Sequence, residues 1–128
     1  MSRGDEQSSR GSSLQRQQRY RRGLSAEVIA AGYLMLRGHL ILARRYKTPL
    51  GEIDLICLKR GRVAFIEVKS RNTRDACEAS ITPRLRQRVR RAADLWLARH
   101  PRYHQHQLGF DVVFVTPWRV PVHIANAL

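Results

Sequence analysis

From about Leu24 the chain changes from polar text to a helical period. Val28, Ile29, Tyr33, Leu34 and Leu36 supply an apolar stripe, and Ala26, Ala30 and Ala31 permit close packing. The spacing predicts a helix from about Leu24 to Arg37, with Ser25 as a cap near its start and Gly38 as its stop. A strand is expected from His39 to about Tyr46, closed by the turn Thr48-Pro49-Leu50-Gly51. Two further strands, Glu52 to Lys59 and Arg62 to Lys69, are joined by Arg60-Gly61, a short hairpin signal. A polar loop from Ser70 to about Ser80 leads to a second helix, about Thr82 to His100. Thr82 caps it, Pro83 takes its first position, and Leu85, Val89, Ala92, Ala93, Trp96 and Leu97 mark the buried face. Phe110 to Val115 is a continuous apolar run of the kind that lies inside a sheet, and Val120 to Ile124 is a short last strand. The expected order is α-β-β-β-α-β-β, a mixed sheet covered by two helices.

The hairpin carries the most chemical information. With a two-residue turn, Lys59 faces Arg62, so Leu55 faces Ile66 and Cys57 faces Ala64. Ile53, Leu55, Cys57, Ala64, Ile66 and Val68 then form one apolar face that must meet the core. On the other face Asp54 opposes Glu67 and Glu52 opposes Lys69. Directly opposed residues have Cβ atoms roughly 5 Å apart. Two carboxylates so placed repel, and folding alone gives no reason to choose them. A divalent cation such as Mg²⁺ or Mn²⁺ removes the repulsion, because both carboxylates can reach it. Lys69 follows Glu67 by two residues on the same face, within reach of a phosphate or water at that centre. The plainer alternative is an exposed charged hairpin face on which Glu52 and Lys69 form an ordinary cross-strand pair.

Charge points the same way. The 128 residues contain 24 Lys and Arg against 10 Asp and Glu, a formal net charge of +14. Such an excess suits a polyanionic partner, nucleic acid above all. Residues 1–22 are rich in Ser, Gln, Gly and Arg and nearly devoid of apolar side chains, and are expected to form a disordered basic arm ahead of a domain at 23–128. Cys57 and Cys77 show no zinc or disulfide spacing. There is no apolar leader and no run long enough to span a bilayer, so a cytoplasmic protein with no membrane partner is expected.

Gly51-Glu52-Ile53-Asp54-Leu55-Ile56 followed by Phe65-Ile66-Glu67-Val68-Lys69-Ser70-Arg71 resembles the signature of the YraN-like bacterial proteins. These are regarded as endonucleases of the PD-(D/E)XK class, similar to archaeal Holliday junction resolvases. The likeness continues in Gly23, Ala26, Glu27, Ala30, Tyr33 and Leu34, in Ala92-Ala93 and Trp96-Leu97, in Phe110-Asp111-Val112-Val113, and in His123 to Leu128. The resemblance implies a restriction-endonuclease-like three-layer α/β/α fold. It makes Asp54, Glu67, the Val68 carbonyl and Glu27 ligands of Mg²⁺ or Mn²⁺, and Lys69 the catalytic lysine. The implied reaction is endonucleolytic hydrolysis of DNA, with branched repair or recombination intermediates as the substrates suggested by analogy and a homodimer suited to two-fold branches. The sequence departs from that pattern twice. Leu85 stands near a position where a lysine is frequent, and Gly109 stands where an arginine usually precedes Phe-Asp.

Arg71, Arg84, Arg86 and Arg88 are the candidate phosphate contacts. His104 and His106 lie in a polar linker and read as solvent-exposed. Asp111 reads as structural, paired with an arginine. Trp96 reads as core, and Trp118 as an ordinary turn residue in preference to the alternative of a residue that stacks on a base. No Ser-His-Asp set, phosphate-binding glycine loop or dinucleotide fingerprint appears. The competing functional reading is a catalytically weak nucleic-acid-binding module on the same scaffold.

Overall fold

The structure, a computed structural model, describes the backbone of residues 2–128 and the side chains of residues 13–18 and 24–128. Helix α1 (Ser2–Leu36) precedes three strands, β1 (Leu40–Thr48), β2 (Gly51–Lys59) and β3 (Arg62–Ser70). Helices α2 (Arg74–Ala79) and α3 (Pro83–Arg99) and a 3-10 turn (Pro101–Tyr103) lead to β4 (Gln107–Val115) and β5 (Val122–Ile124). The five strands form one open sheet in chain order. β3 and β4 run parallel and every other neighbouring pair is antiparallel. The parallel step is what α2 and α3 span, since a parallel neighbour needs a long crossover.

Gly38 ends α1 and Thr82-Pro83 begins α3, as the sequence marks them. Gly38, at φ 89, sits just past α1. The amide N–H of His39 donates to the Leu34 carbonyl and that of Gly38 to Met35, each at 3.0 Å, which closes the helix in a left-handed cap. Thr82 caps α3 by accepting from the Leu85 amide at 3.2 Å, with Pro83 next. The β2–β3 turn has both central residues in left-handed backbone, Arg60 at φ 51 and Gly61 at φ 75, the geometry that matches strand twist.

Two apolar layers flank the sheet. Leu55, Cys57, Ala64 and Ile66 point to α1, where Ala26, Ala30, Ala31 and Leu34 meet them. Ile56, Val63, Phe65 and Val112 point to α3, against Val89, Ala92, Ala93 and Trp96. The fold is therefore a mixed α/β sheet with one main helix on each face.

Four expectations change. Helix α1 begins at Ser2 and not near Leu24, so Ser25 lies inside it and caps nothing; the charged side chains assigned to the basic arm fall mostly outside the residues whose side chains are described. The buried stripe of α1 is made by its alanines and Leu34, while Val28, Ile29 and Leu36 face solvent. Small residues let the helix approach the sheet closely, and that overrides the larger apolar pattern. The loop at Ser70 to Ser80 contains α2, capped by Thr73 accepting from the Ala76 amide, and it buries Cys77. Last, Ile53 packs on the α3 side with Ile56, not with Leu55 on the α1 side. The alternation of β2 breaks at Asp54.

Candidate metal centre

The break coincides with an unusual backbone on the neighbouring strand. β1 and β2 pair at Arg44↔Leu55 and Tyr46↔Ile53, so Arg45 lies across from Asp54. Arg45 has φ 50, a left-handed conformation that costs a non-glycine residue about 1–2 kcal/mol. It lies at the level where Ile53 and Leu55, two residues apart on β2, pack in different layers. On its other edge, β2 pairs regularly with β3 from Lys59↔Arg62 to Leu55↔Ile66, the expected register. There the ladder stops. The next amide of β3 facing β2, that of Val68, donates to Asp54 Oδ2 at 2.8 Å. A side-chain carboxylate thus takes the place of a backbone acceptor, beside the Glu67 side chain.

Glu67 is buried, with 8% of its surface exposed. Lys69 Nζ stands 3.2 Å from Glu67 Oε1. Asp54 and Glu67 are hydrogen-bonding neighbours: the Glu67 charge raises Asp54, while the hydrogen bond from Asp54 favours the charged form of Glu67. Burial pushes the Asp54 carboxyl up to about 8, with the Glu67 charge adding to the effect and the Val68 N–H and Lys69 opposing it. Burial also raises Glu67, against the pull of Lys69. Without a further positive charge, this pair is held toward its singly protonated form.

Glu27 and Glu52 flank the pair and are held by arginine. Arg44 Nε lies 3.4 Å from Glu27 Oε1, and Arg45 Nε lies 3.8 Å from both Glu27 Oε2 and Glu52 Oε1. Glu27 is 5% exposed and adds a small like-charge effect on Asp54. Among the described residues, no group of three or more His, Cys, Asp or Glu is arranged to hold a metal ion. Asp54 and Glu67 close as a pair, and Glu27 stays with its arginines. Lys69 pairs with Glu67 and Glu52 with Arg45, so the cross-strand Glu52–Lys69 pair considered from sequence does not form.

The donor set nevertheless suits a hard divalent cation. Mg²⁺ is commonly held by one or two carboxylates, with water and substrate phosphate completing its shell. Two oxygen-bearing side chains that are unfavourable as a doubly charged pair are the required chemistry. Val68 enters the site through its N–H, which orients Asp54. Cys77, packed beneath, donates its thiol to the Lys69 carbonyl at 3.7 Å and ties the end of β3 to α2. Sequence reasoning missed Arg45, whose place across from Asp54 depends on the β1–β2 register and not on any local motif.

The other candidates lie elsewhere. Asp111 is fully buried and accepts from Arg62 Nη1 and Nη2 at 2.8 and 2.7 Å, from His123 Nε2 at 2.8 Å and from the Asn126 amide at 2.9 Å. These donors hold its carboxyl well below the usual carboxylate range. It is a structural hub, as its sequence position suggested. Arg62 reaches it by lying over Gly109, where any Cβ would collide with the guanidinium. That explains the glycine: the arginine comes from β3. His104 is exposed, and His100 and His104 donate to the Trp96 and Leu97 carbonyls at the end of α3. Arg71, Arg84, Arg86 and Arg88 are all exposed, the last three on α3. Among the described residues, no helix is long and apolar enough to cross a membrane.

Fold and site together define a small mixed α/β protein whose sheet presents a coupled carboxylate pair beside a lysine. The chain belongs to the family described as Uncharacterised protein family UPF0102, whose profile matches residues 26–115. It is 49% identical to a UPF0102 protein of Rhodopseudomonas palustris (strain BisA53) over 108 residues, covering 84% of this chain and 83% of the relative. A UPF0102 protein of Mesorhizobium japonicum is 46% identical over 115 residues, covering 90% and 92%. One of Bradyrhizobium diazoefficiens is 45% identical over 108 residues, covering 84% and 81%.

Proposed function

We propose that this chain is a Mg²⁺- or Mn²⁺-dependent nuclease that hydrolyses phosphodiester bonds in DNA, on a restriction-endonuclease-like scaffold. The observation that carries the reading is the Asp54–Glu67 pair with Lys69 Nζ at 3.2 Å. Folding gains nothing from placing a buried and a half-buried carboxyl together, whereas both serve a site that cleaves phosphodiesters. Asp54 and Glu67 would hold the ion, and Glu27 and the Val68 carbonyl are candidates to complete its surroundings. When bound, the cation supplies Lewis acidity toward a phosphate oxygen and makes water more acidic.

The protein's own groups have separate tasks. The Val68 N–H fixes the rotamer of Asp54. Arg45 restrains Glu27 and Glu52 at the margin of the site and offsets their charge. Lys69 supplies a cation to charge that develops on the phosphate, or to the hydroxide that attacks it. The +14 charge supports a polyanionic substrate, with Arg71, Arg84, Arg86 and Arg88 as exposed phosphate contacts. Branched or single-strand-containing DNA and a dimeric assembly are carried by likeness to resolvases alone. The test is incubation with labelled linear, nicked, flapped and four-way DNAs in Mg²⁺, Mn²⁺ or EDTA. Metal-dependent cleavage by the wild type and none by Asp54→Asn is the expected result. Salt-sensitive DNA binding without cleavage, indifferent to metal, would instead support the binding-module reading.

A further inference from the structure

The loop after β4 holds a feature that the metal centre does not use. Trp118 is fully exposed, at 103% of its reference surface, and has φ 62. Large aromatic side chains favour burial, and a left-handed backbone disfavours a bulky side chain. The left-handed backbone belongs to the Thr116–Arg119 turn, in which the Arg119 N–H donates to the Thr116 carbonyl at 3.4 Å, but that turn does not call for a large aromatic side chain left in solvent. The residue stands at the rim of an open cleft of about 540 Å³ between α1 and the 116–120 loop. Ile29 supplies apolar wall, Ser70, Arg71 and Asn72 line another side, and Arg119 follows Trp118 on the rim. Ser70 is the residue directly after Lys69, so the cleft begins where the candidate metal centre ends.

We propose that Trp118 is a stacking platform for an unpaired nucleobase of a single-stranded DNA segment, with Arg71 and Arg119 on its phosphates. The proposal rests on the nucleic-acid reading above and names the form of substrate that site receives. Charge complementarity selects the occupant: an apolar indole flanked by two arginines matches a base flanked by phosphates. A duplex keeps its bases stacked inside, and a protein surface offers no matching anionic repeat. Base–aromatic stacking is indifferent to base identity, so the platform gives preference for unpaired structure and not for sequence.

Binding measured in EDTA separates this proposal from catalysis. Fluorescence titration of the full-length protein with oligo(dT) and with a duplex of equal length reads it directly. Trp96 is buried and serves as an internal reference. The expected result is quenching of the exposed tryptophan by oligo(dT). Trp118→Ala should weaken oligo(dT) binding roughly 5- to 100-fold, leave duplex binding nearly unchanged, and be partly rescued by Trp118→Phe. An equal loss for both DNAs, or no loss for either, overturns the proposal. So does a Trp118→Ala variant that changes only the sedimentation of the free protein, since the indole would then be covered by a second copy of the chain. A chain that fails to cleave DNA but shows the single-strand-specific loss would keep the platform and reject the nuclease.

Discussion

The amide of Val68 donates to the carboxylate of Asp54, so the residue between Glu67 and Lys69 orients the acid across from it. One hydrogen bond therefore connects both halves of the hairpin motif. Its consequences can be measured in stability and in chemistry.

The first concerns pH. The Asp54 carboxyl is raised from 3.8 to about 8, and Glu67 is raised with it. A carboxyl with an elevated folded value contributes stability that is present below its unfolded value and lost as pH climbs through the folded one. Metal-free wild type should thus lose thermal stability between about pH 4 and pH 8. Asp54→Asn, which imitates the protonated acid, should lose less and melt higher at pH 8.5, by roughly 3 °C or more. Parallel melting curves for the two proteins across that range would contradict the coupled pair.

A second prediction follows from linkage to metal. Mg²⁺ or Mn²⁺ should raise the wild-type melting temperature more at pH 8 than at pH 5, because the ion competes with the proton on the pair. Glu67→Gln should remove most of that increment. Thermal-shift titration at the two pH values measures it.

The Asp111 hub makes a purely structural prediction. Arg62→Ala leaves a fully buried carboxylate without its two-pronged partner, and loss of a buried ion-pair partner costs about 3–5 kcal/mol. Gly109→Ala should also destabilise, since the new methyl and the Arg62 guanidinium claim the same space. Urea unfolding gives both values, and neither variant should alter the metal dependence of whatever fraction stays folded.

Phosphate contacts are tested by salt. If Arg84, Arg86 and Arg88 each neutralise one phosphate, replacing any one by Ala should lower the slope of log affinity against log salt by roughly 1, uniformly across DNA sequences. An unchanged slope would place the DNA elsewhere on the surface.

Much of this molecule was legible in its sequence. The Arg60-Gly61 turn set the β2–β3 register, because a two-residue left-handed turn allows one alignment. Thr82-Pro83 and Gly38 marked helix ends through chemistry that acts over a few residues. Continuing that register past Leu55↔Ile66, where the backbone ladder stops, is what suggested Asp54 beside Glu67 from sequence. What escaped was non-local. Ile53 packs on the α3 side, at the level where Arg45 of another strand takes a left-handed conformation opposite Asp54, and no local pattern in β2 announces either. The alanine face of α1 outranks Val28 and Ile29 because the depth of the helix–sheet approach is a tertiary property. Helix α2 is six residues long and buries only Cys77, too little to leave a period.

The central claim is that Asp54, Glu67 and Lys69 act together on a phosphodiester through a divalent cation. The most direct measurement is single-turnover cleavage of a flapped DNA in Mg²⁺ by wild type, Asp54→Asn and Lys69→Ala, each first shown to be folded. Wild-type cleavage that EDTA abolishes, with both variants slower by at least about 100-fold, is the predicted result. Equal metal-dependent rates for all three proteins would contradict it.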